Sequence, residues 1–154
     1  MKPDMREIIA RSIHESYRTA RVTSTNNDDV TMLDWEKLPA YLKESNREQA
    51  DDIFGKLRRI GCTVHKASRR RVALLTFTKE EIEIMAEMEH TRWIAERLRK
   101  GWKLGKKKDV DKRISPYLVA WSELPENVKE LDRQSVRKIP ELLAGVGLVV
   151  RRVK

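Results

Sequence analysis

The chain repeats itself, and that limits its fold more than anything else in it. Trp35-Glu36-Lys37-Leu38-Pro39 recurs as Trp121-Ser122-Glu123-Leu124-Pro125, an offset of 86 residues. At the same offset Asn46-Arg47 falls on Asp132-Arg133, Ile53 on Ile139, Gly61 on Gly147 and Val64 on Val150. The segment before each of these repeats at an offset of 76, where Ala10 matches Ala86, His14 matches His90 and Tyr17 matches Trp93. The change of offset gives the second half ten extra residues, which lie within 101–118.

A repeat of this length is one supersecondary unit used twice, because a single copy cannot bury its own apolar face. Each half reads as helix, loop, Trp-x-x-Leu-Pro, helix, glycine and short strand. The expected fold is therefore α+β and mostly α-helical, with two pseudo-symmetric repeats. A first, degenerate repeat covers about 5–64 and a second about 78–151, within a single domain of residues 1–154. First helices are predicted at 5–21 and 78–100, the latter opened by Thr78-Lys79-Glu80-Glu81, which has capping-box spacing. Second helices are predicted at 46–60 and 132–144, with Pro140 dividing the last, since proline inside a helix loses a hydrogen bond. Gly61 and Gly147 sit where a left-handed residue ends a helix. Residues 62–64, 72–75 and 148–153 read as short strands, with 72–75 placed to pair with 62–64 across the basic turn at 69–71. Two such halves are expected to pack about a pseudo-twofold axis and leave a cleft between them, a favoured place for small-molecule sites.

The formal net charge of +9 calls for an anionic partner or a solubility reason. Basic residues cluster at 69–71, at Lys106-Lys107-Lys108 and at the C-terminal end, and solvated loops and a frayed tail are the ordinary account of any one of them. Although 37% of residues are charged, the apolar ones are periodic, which argues against disorder. No apolar run approaches a membrane span, and Met1-Lys2-Pro3-Asp4 does not open a signal peptide. Cys62 is the only cysteine, so no internal disulfide forms. A cytoplasmic protein is expected.

On the third helix, Ile84, Met88, Ala95 and Leu98 fall on one stripe, extended by Trp102, and this stripe is the expected core face. At about 100° per residue, Ala86, His90, Trp93 and Arg97 lie roughly opposite. A tryptophan there needs cover from the other half, a partner or a ligand, because an indole buries a large apolar area. Two roles stay open for His90: a core histidine bonded to a backbone carbonyl, or a polar contact in a binding site. In the first helix Ile9, Ile13 and Ala20 make the stripe, with His14 and Tyr17 at its edge. Trp35 and Trp121 each precede Leu-Pro at a turn into a helix. Each is either a staple packing that turn onto the core or a ligand contact.

The segment from Met85 to Trp93 places His90-x-x-Trp93 on a helix. Gly101-Trp102-Lys103-Leu104-Gly105 follows, then Asp109-x-x-Lys112 and Ser115-Pro116-Tyr117-Leu118-Val119 ahead of Trp121-x-x-Leu124-Pro125. Leu142-Leu143 and Gly147 complete the pattern. From about residue 82 to 150 this resembles the RyR domain, the repeat unit named from ryanodine-receptor calcium channels. Residues 8–64 match as a shortened repeat, with Tyr17 in place of the signature tryptophan and no Gly-Trp-x-x-Gly segment. The resemblance implies paired repeats whose cleft holds an adenine nucleotide among aromatic side chains, and relatives suspected of sensing nucleotide-derived signals. Carried over to this chain, it points to His90, Trp93, Trp102 and Trp121 as ligand-binding positions. His14 and Tyr17 are their first-half equivalents, and Trp35 and Arg97 join the expected set. The channels also carry a long phosphorylatable loop between repeats. The corresponding segment here is short and basic, with Ser68, and that role is not carried over.

The function expected is a small-molecule binding module for an adenine nucleotide or an ADP-ribose-like signal. Arg92, Arg97 or Arg133 would clamp the phosphates. The alternative is a protein–protein interaction or oligomerisation module, in which a second copy or another chain docks on the aromatic face. Nonspecific nucleic-acid binding is a weaker alternative, since the chain is basic but holds no recognised nucleic-acid motif. There is no Gly-rich phosphate loop, metal-ligand spacing or nucleophile elbow, so no enzyme, cofactor or metal is expected.

Overall fold

A computed structural model describes residues 3–21, 30–68 and 73–153. Its helices are α1 (Pro3–Arg21), α2 (Ala40–Arg59), α3 (Lys79–Arg99), α4 (Glu126–Arg137) and α5 (Ile139–Ala144). Its strands are β1 (Cys62–Lys66), β2 (Lys103–Leu104), β3 (Ile114–Ser115) and β4 (Leu148–Arg152). The fold is α+β and mostly helical. The basic residues 69–71, Lys154, Val72 and the side chain of Ala20 lie outside the described residues.

Local chemistry explains most element ends. The Thr78 hydroxyl accepts from the Glu81 amide at 3.1 Å, and the Glu81 carboxylate accepts from the Thr78 amide at 2.8 Å, the reciprocal cap expected for α3. Gly61 and Gly147 have φ of 77° and 81° and turn the chain out of α2 and α5. α2 and α4 begin at Ala40 and Glu126, earlier than the expected 46 and 132. Pro39 and Pro125 explain this, because a proline needs no N–H at a helix start and its carbonyl is free to accept. Leu42 and Lys43 donate to the Pro39 carbonyl, and Val128 and Lys129 to that of Pro125. The break expected at Pro140 is present, with α4 ending at Arg137 and Pro140 in the first turn of α5.

The chain forms two compact units, Met1–Leu75 with Ile139–Lys154, and Thr76–Lys138. In the first, α1 packs along α2, and α5 packs against α1 and β4. β1 and β4 form an antiparallel pair in which Val64 faces Val150, the position the repeat equates with it. This corrects the pairing of 62–64 with 72–75. Ala73 to Leu75 carry no regular structure, and Ala73 and Leu74 are exposed. β4 instead offers Val149 and Val150, both buried with Ile9, Leu57 and Leu143. In the second unit α3 packs along α4, and β2 and β3 form a short parallel pair that sequence reading did not anticipate. Gly105 permits that pair, since a Cβ there would collide with the Ile114 side chain.

The expected core face of α3 is also corrected. Met85, Ala86, Glu89, His90 and Glu96 are the buried residues of this helix, while Ala95 is exposed and Leu98 is 58% exposed. The face that holds His90 is therefore the buried one. Two of its polar residues are hydrogen-bonded there, Glu89 to Arg92 at 2.7 Å and His90 to a backbone carbonyl, and Glu96 lies 3.5 Å from the Lys100 ammonium.

Candidate functional site

The same small network is built in each unit. In the first, His14 Nε2 lies 2.6 Å from the Leu33 carbonyl; since a carbonyl only accepts, the imidazole donates. Its ring meets Trp35 at 6.2 Å and 55°. Arg47 donates from two nitrogens to Glu7, at 2.8 and 3.1 Å, and its guanidinium lies 5.7 Å from the Trp35 ring. Lys43 lies 5.8 Å from that ring.

In the second unit His90 Nε2 donates to the Val119 carbonyl at 2.7 Å, and its ring meets Trp121 at 6.1 Å and 52°. Arg133 donates to Glu83 at 2.8 and 3.1 Å and sits 5.7 Å from the Trp121 ring, with Lys129 at 5.6 Å. The Trp121 indole N–H also donates to Glu83 at 3.0 Å. Arg47 and Arg133 are matched by the repeat, and Glu7 and Lys43 correspond to Glu83 and Lys129 at the same offsets of 76 and 86, a signal in the sequence for the rest of the pattern.

These networks fix backbone turns. Each histidine ties the loop carbonyl two residues before the tryptophan to the first helix of its unit, and the Glu–Arg pair clamps the second helix against the first. Each carboxylate is held below its ordinary value of 4.5, first by its hydrogen bonds from arginine. Trp35 is buried, which fits a staple. Arg92 and Arg133, expected as phosphate clamps, instead face Glu89 and Glu83. Among the described residues no group of His, Cys, Asp and Glu could hold a metal.

The second unit extends its network outward. Trp93 stacks on His90 at 5.8 Å and 18°. The Arg97 guanidinium lies 5.4 Å from the Trp93 ring and 5.3 Å from the Trp102 ring. Trp121, His90, Trp93, Arg97 and Trp102 thus form one continuous row, and Trp93, Arg97 and Trp102 are half-buried. The row holds five of the expected site residues. The other three lie in the first unit. Tyr17, in the place of Trp93, bonds through its hydroxyl to Thr31 at 3.3 Å, and His14 and Trp35 serve the network described above. The cleft expected between the halves remains an expectation; the geometry here belongs to each unit separately.

The row coincides with the segment that known proteins share. A family model, the RyR domain, matches residues 68–152, more than half of the chain. The chain belongs to the RyR domain family. Within this RyR domain the match takes in His90, Trp93, Arg97, Trp102 and Trp121, while His14, Tyr17 and Trp35 precede it. No helix among the described residues is long and apolar enough to cross a membrane.

Proposed function

We propose that this RyR domain is a non-catalytic binding module for an adenine nucleotide or a nucleotide-derived, ADP-ribose-like signal. The observation that carries this reading is Arg97 held between two half-exposed indoles. Indole faces stack on a flat heterocycle, and a guanidinium poised beside them supplies a planar fork for phosphate. Arg97 suits the role better than Arg92 or Arg133, whose guanidiniums make hydrogen bonds at under 3 Å to carboxylates. Its own contact with a carboxylate is longer, 4.0 Å to Glu96. Calorimetry with AMP, ADP and ADP-ribose tests the proposal. Binding that Trp93→Ala and Arg97→Ala both weaken is expected, and no binding by any of the three would end it.

A second reading, a surface for another chain or a second copy, draws on Leu98, Leu104 and Val110, each more than half exposed in the same unit. Sedimentation of the chain at rising concentration checks the self-association form of it.

A further inference from the structure

The loop that follows Trp102 concentrates the molecule's charge. Residues 100–113 contain seven basic and two acidic side chains, a net of five positive charges against nine for the whole chain. Several cations elsewhere are paired in place: Arg6, Arg18, Arg47, Arg92, Arg133 and Arg137 each lie against a carboxylate. Lys103, Lys106, Lys107 and Lys108 are exposed and, among the described residues, show no ion pair. The extra residues of the second half fall in this part of the chain, so nothing in the first half corresponds to the basic loop.

The loop is also tied down. The Trp102 amide bonds to the Arg97 carbonyl at 3.0 Å, which joins the loop's start to the end of α3. Gly105 donates to Ser115 at 3.3 Å, and Asp109 and Ile114 exchange both backbone bonds, at 3.0 and 2.9 Å. Lys106, Lys107 and Lys108 therefore span a closed tip between two anchored residues. The Asp109 carboxylate accepts from the Lys112 amide at 3.1 Å, a further tie within the loop. Arg113 has φ of 55°, a backbone region that a residue with a side chain adopts only where its surroundings fix it. Its guanidinium donates to the Lys100 carbonyl at 2.7 Å, bracing the far end of the loop onto the end of α3.

We propose that this loop is the phosphate arm of the Trp93–Arg97–Trp102 site, and that the site selects ring compounds carrying two or more phosphates over those with one. The inference rests on the reading that the aromatic row takes the ring. A single phosphate can be met by Arg97 alone. A braced tip of three consecutive exposed lysines offers several positive charges along a short stretch of chain, which suits a diphosphate or longer chain better than a single phosphate.

Calorimetry on the full chain with AMP, ADP and inorganic tripolyphosphate, at low and high salt, tests it. ADP is expected to bind about tenfold more tightly than AMP at low salt. The triple variant K106Q/K107Q/K108Q should collapse that ratio toward one, with an unchanged thermal midpoint since all three side chains are exposed. Trp93→Ala should weaken both nucleotides alike and leave the ratio in place. Equal, Trp93-dependent affinity for AMP and ADP overturns the arm while leaving the ring site standing. No nucleotide binding removes the ring site and the arm with it. Tripolyphosphate or a single-stranded oligonucleotide binding as tightly as ADP, without dependence on Trp93, reduces the loop to general polyanion attraction and also overturns the proposal.

Discussion

The four tryptophans divide by what their neighbours leave uncovered. Trp35 is 6% exposed and fixes the entry to α2. Trp121 is partly open but anchored by its N–H to Glu83. Trp93 and Trp102 are half-buried and meet in Arg97. A truncation at each position should therefore read out differently. Trp35→Ala removes a core side chain and is expected to cost about 3–5 kcal/mol of stability, a large share of what a domain of this size possesses. Trp93→Ala removes a half-buried ring. Its main expected effect is on ligand affinity, about 1–3 kcal/mol if one base stacks there, with a smaller change in stability. Urea unfolding of both variants beside nucleotide titration separates the two roles. A Trp93→Ala protein as unstable as Trp35→Ala would make Trp93 a core residue and nothing more.

At the scale of elements, the two Glu–Arg clamps set a pH dependence. Glu7 and Glu83 titrate below the ordinary 4.5 because Arg47 and Arg133 favour their ionised forms. A group whose value is depressed by folding adds stability above its unfolded value, and that stability is lost as pH falls through the folded one. The thermal midpoint should be level from neutrality to about pH 5 and fall below the ordinary 4.5. Both carboxylates are more than a third exposed, so screening keeps each contribution within about 1 kcal/mol. The double variant E7Q/E83Q should start lower at pH 7 and fall less on acidification; a profile parallel to that of the unaltered protein would remove the clamps from the account. These helices also show what sequence could and could not reveal. Thr78, Gly61, Gly147 and Pro140 act through local backbone chemistry, and each was legible. The core face of α3 was not, because the apolar stripe through Ala95 and Leu98 points outward while His90, Glu89 and Glu96 go inside. Periodicity counts apolar residues, and it cannot see that a buried imidazole has found a carbonyl 29 positions away. The aromatic row was half legible: its members were named from spacing and resemblance, but their order around Arg97 depends on side-chain placement.

For the molecule as a whole, the repeat in sequence and the compact units do not share boundaries. α5 and β4 belong to the second half by sequence, yet they pack in the unit that contains the first. β4 pairs with β1, and the ladder is extended by Ala67 donating to Gly147 and Val153 to Gly61, at 2.9 and 2.8 Å. A fragment of residues 68–154, which contains the family match, lacks β1 and leaves the amides and carbonyls of β4 without their partners. It also uncovers Val149 and Val150, each worth about 1.5–3 kcal/mol when buried. An unpaired strand of that kind opens readily to solvent and to proteases. Hydrogen exchange on the full chain should protect the β4 amides that bond to β1, and the fragment should lose that protection while the amides within α3 keep theirs. Equal protection of β4 in both would mean that the strand draws its order from its own half, and the first half would then be an appendage to the RyR fold. The expected loss makes it a structural requirement, which the repeated His, Trp, Glu and Arg positions already suggest from inside each unit.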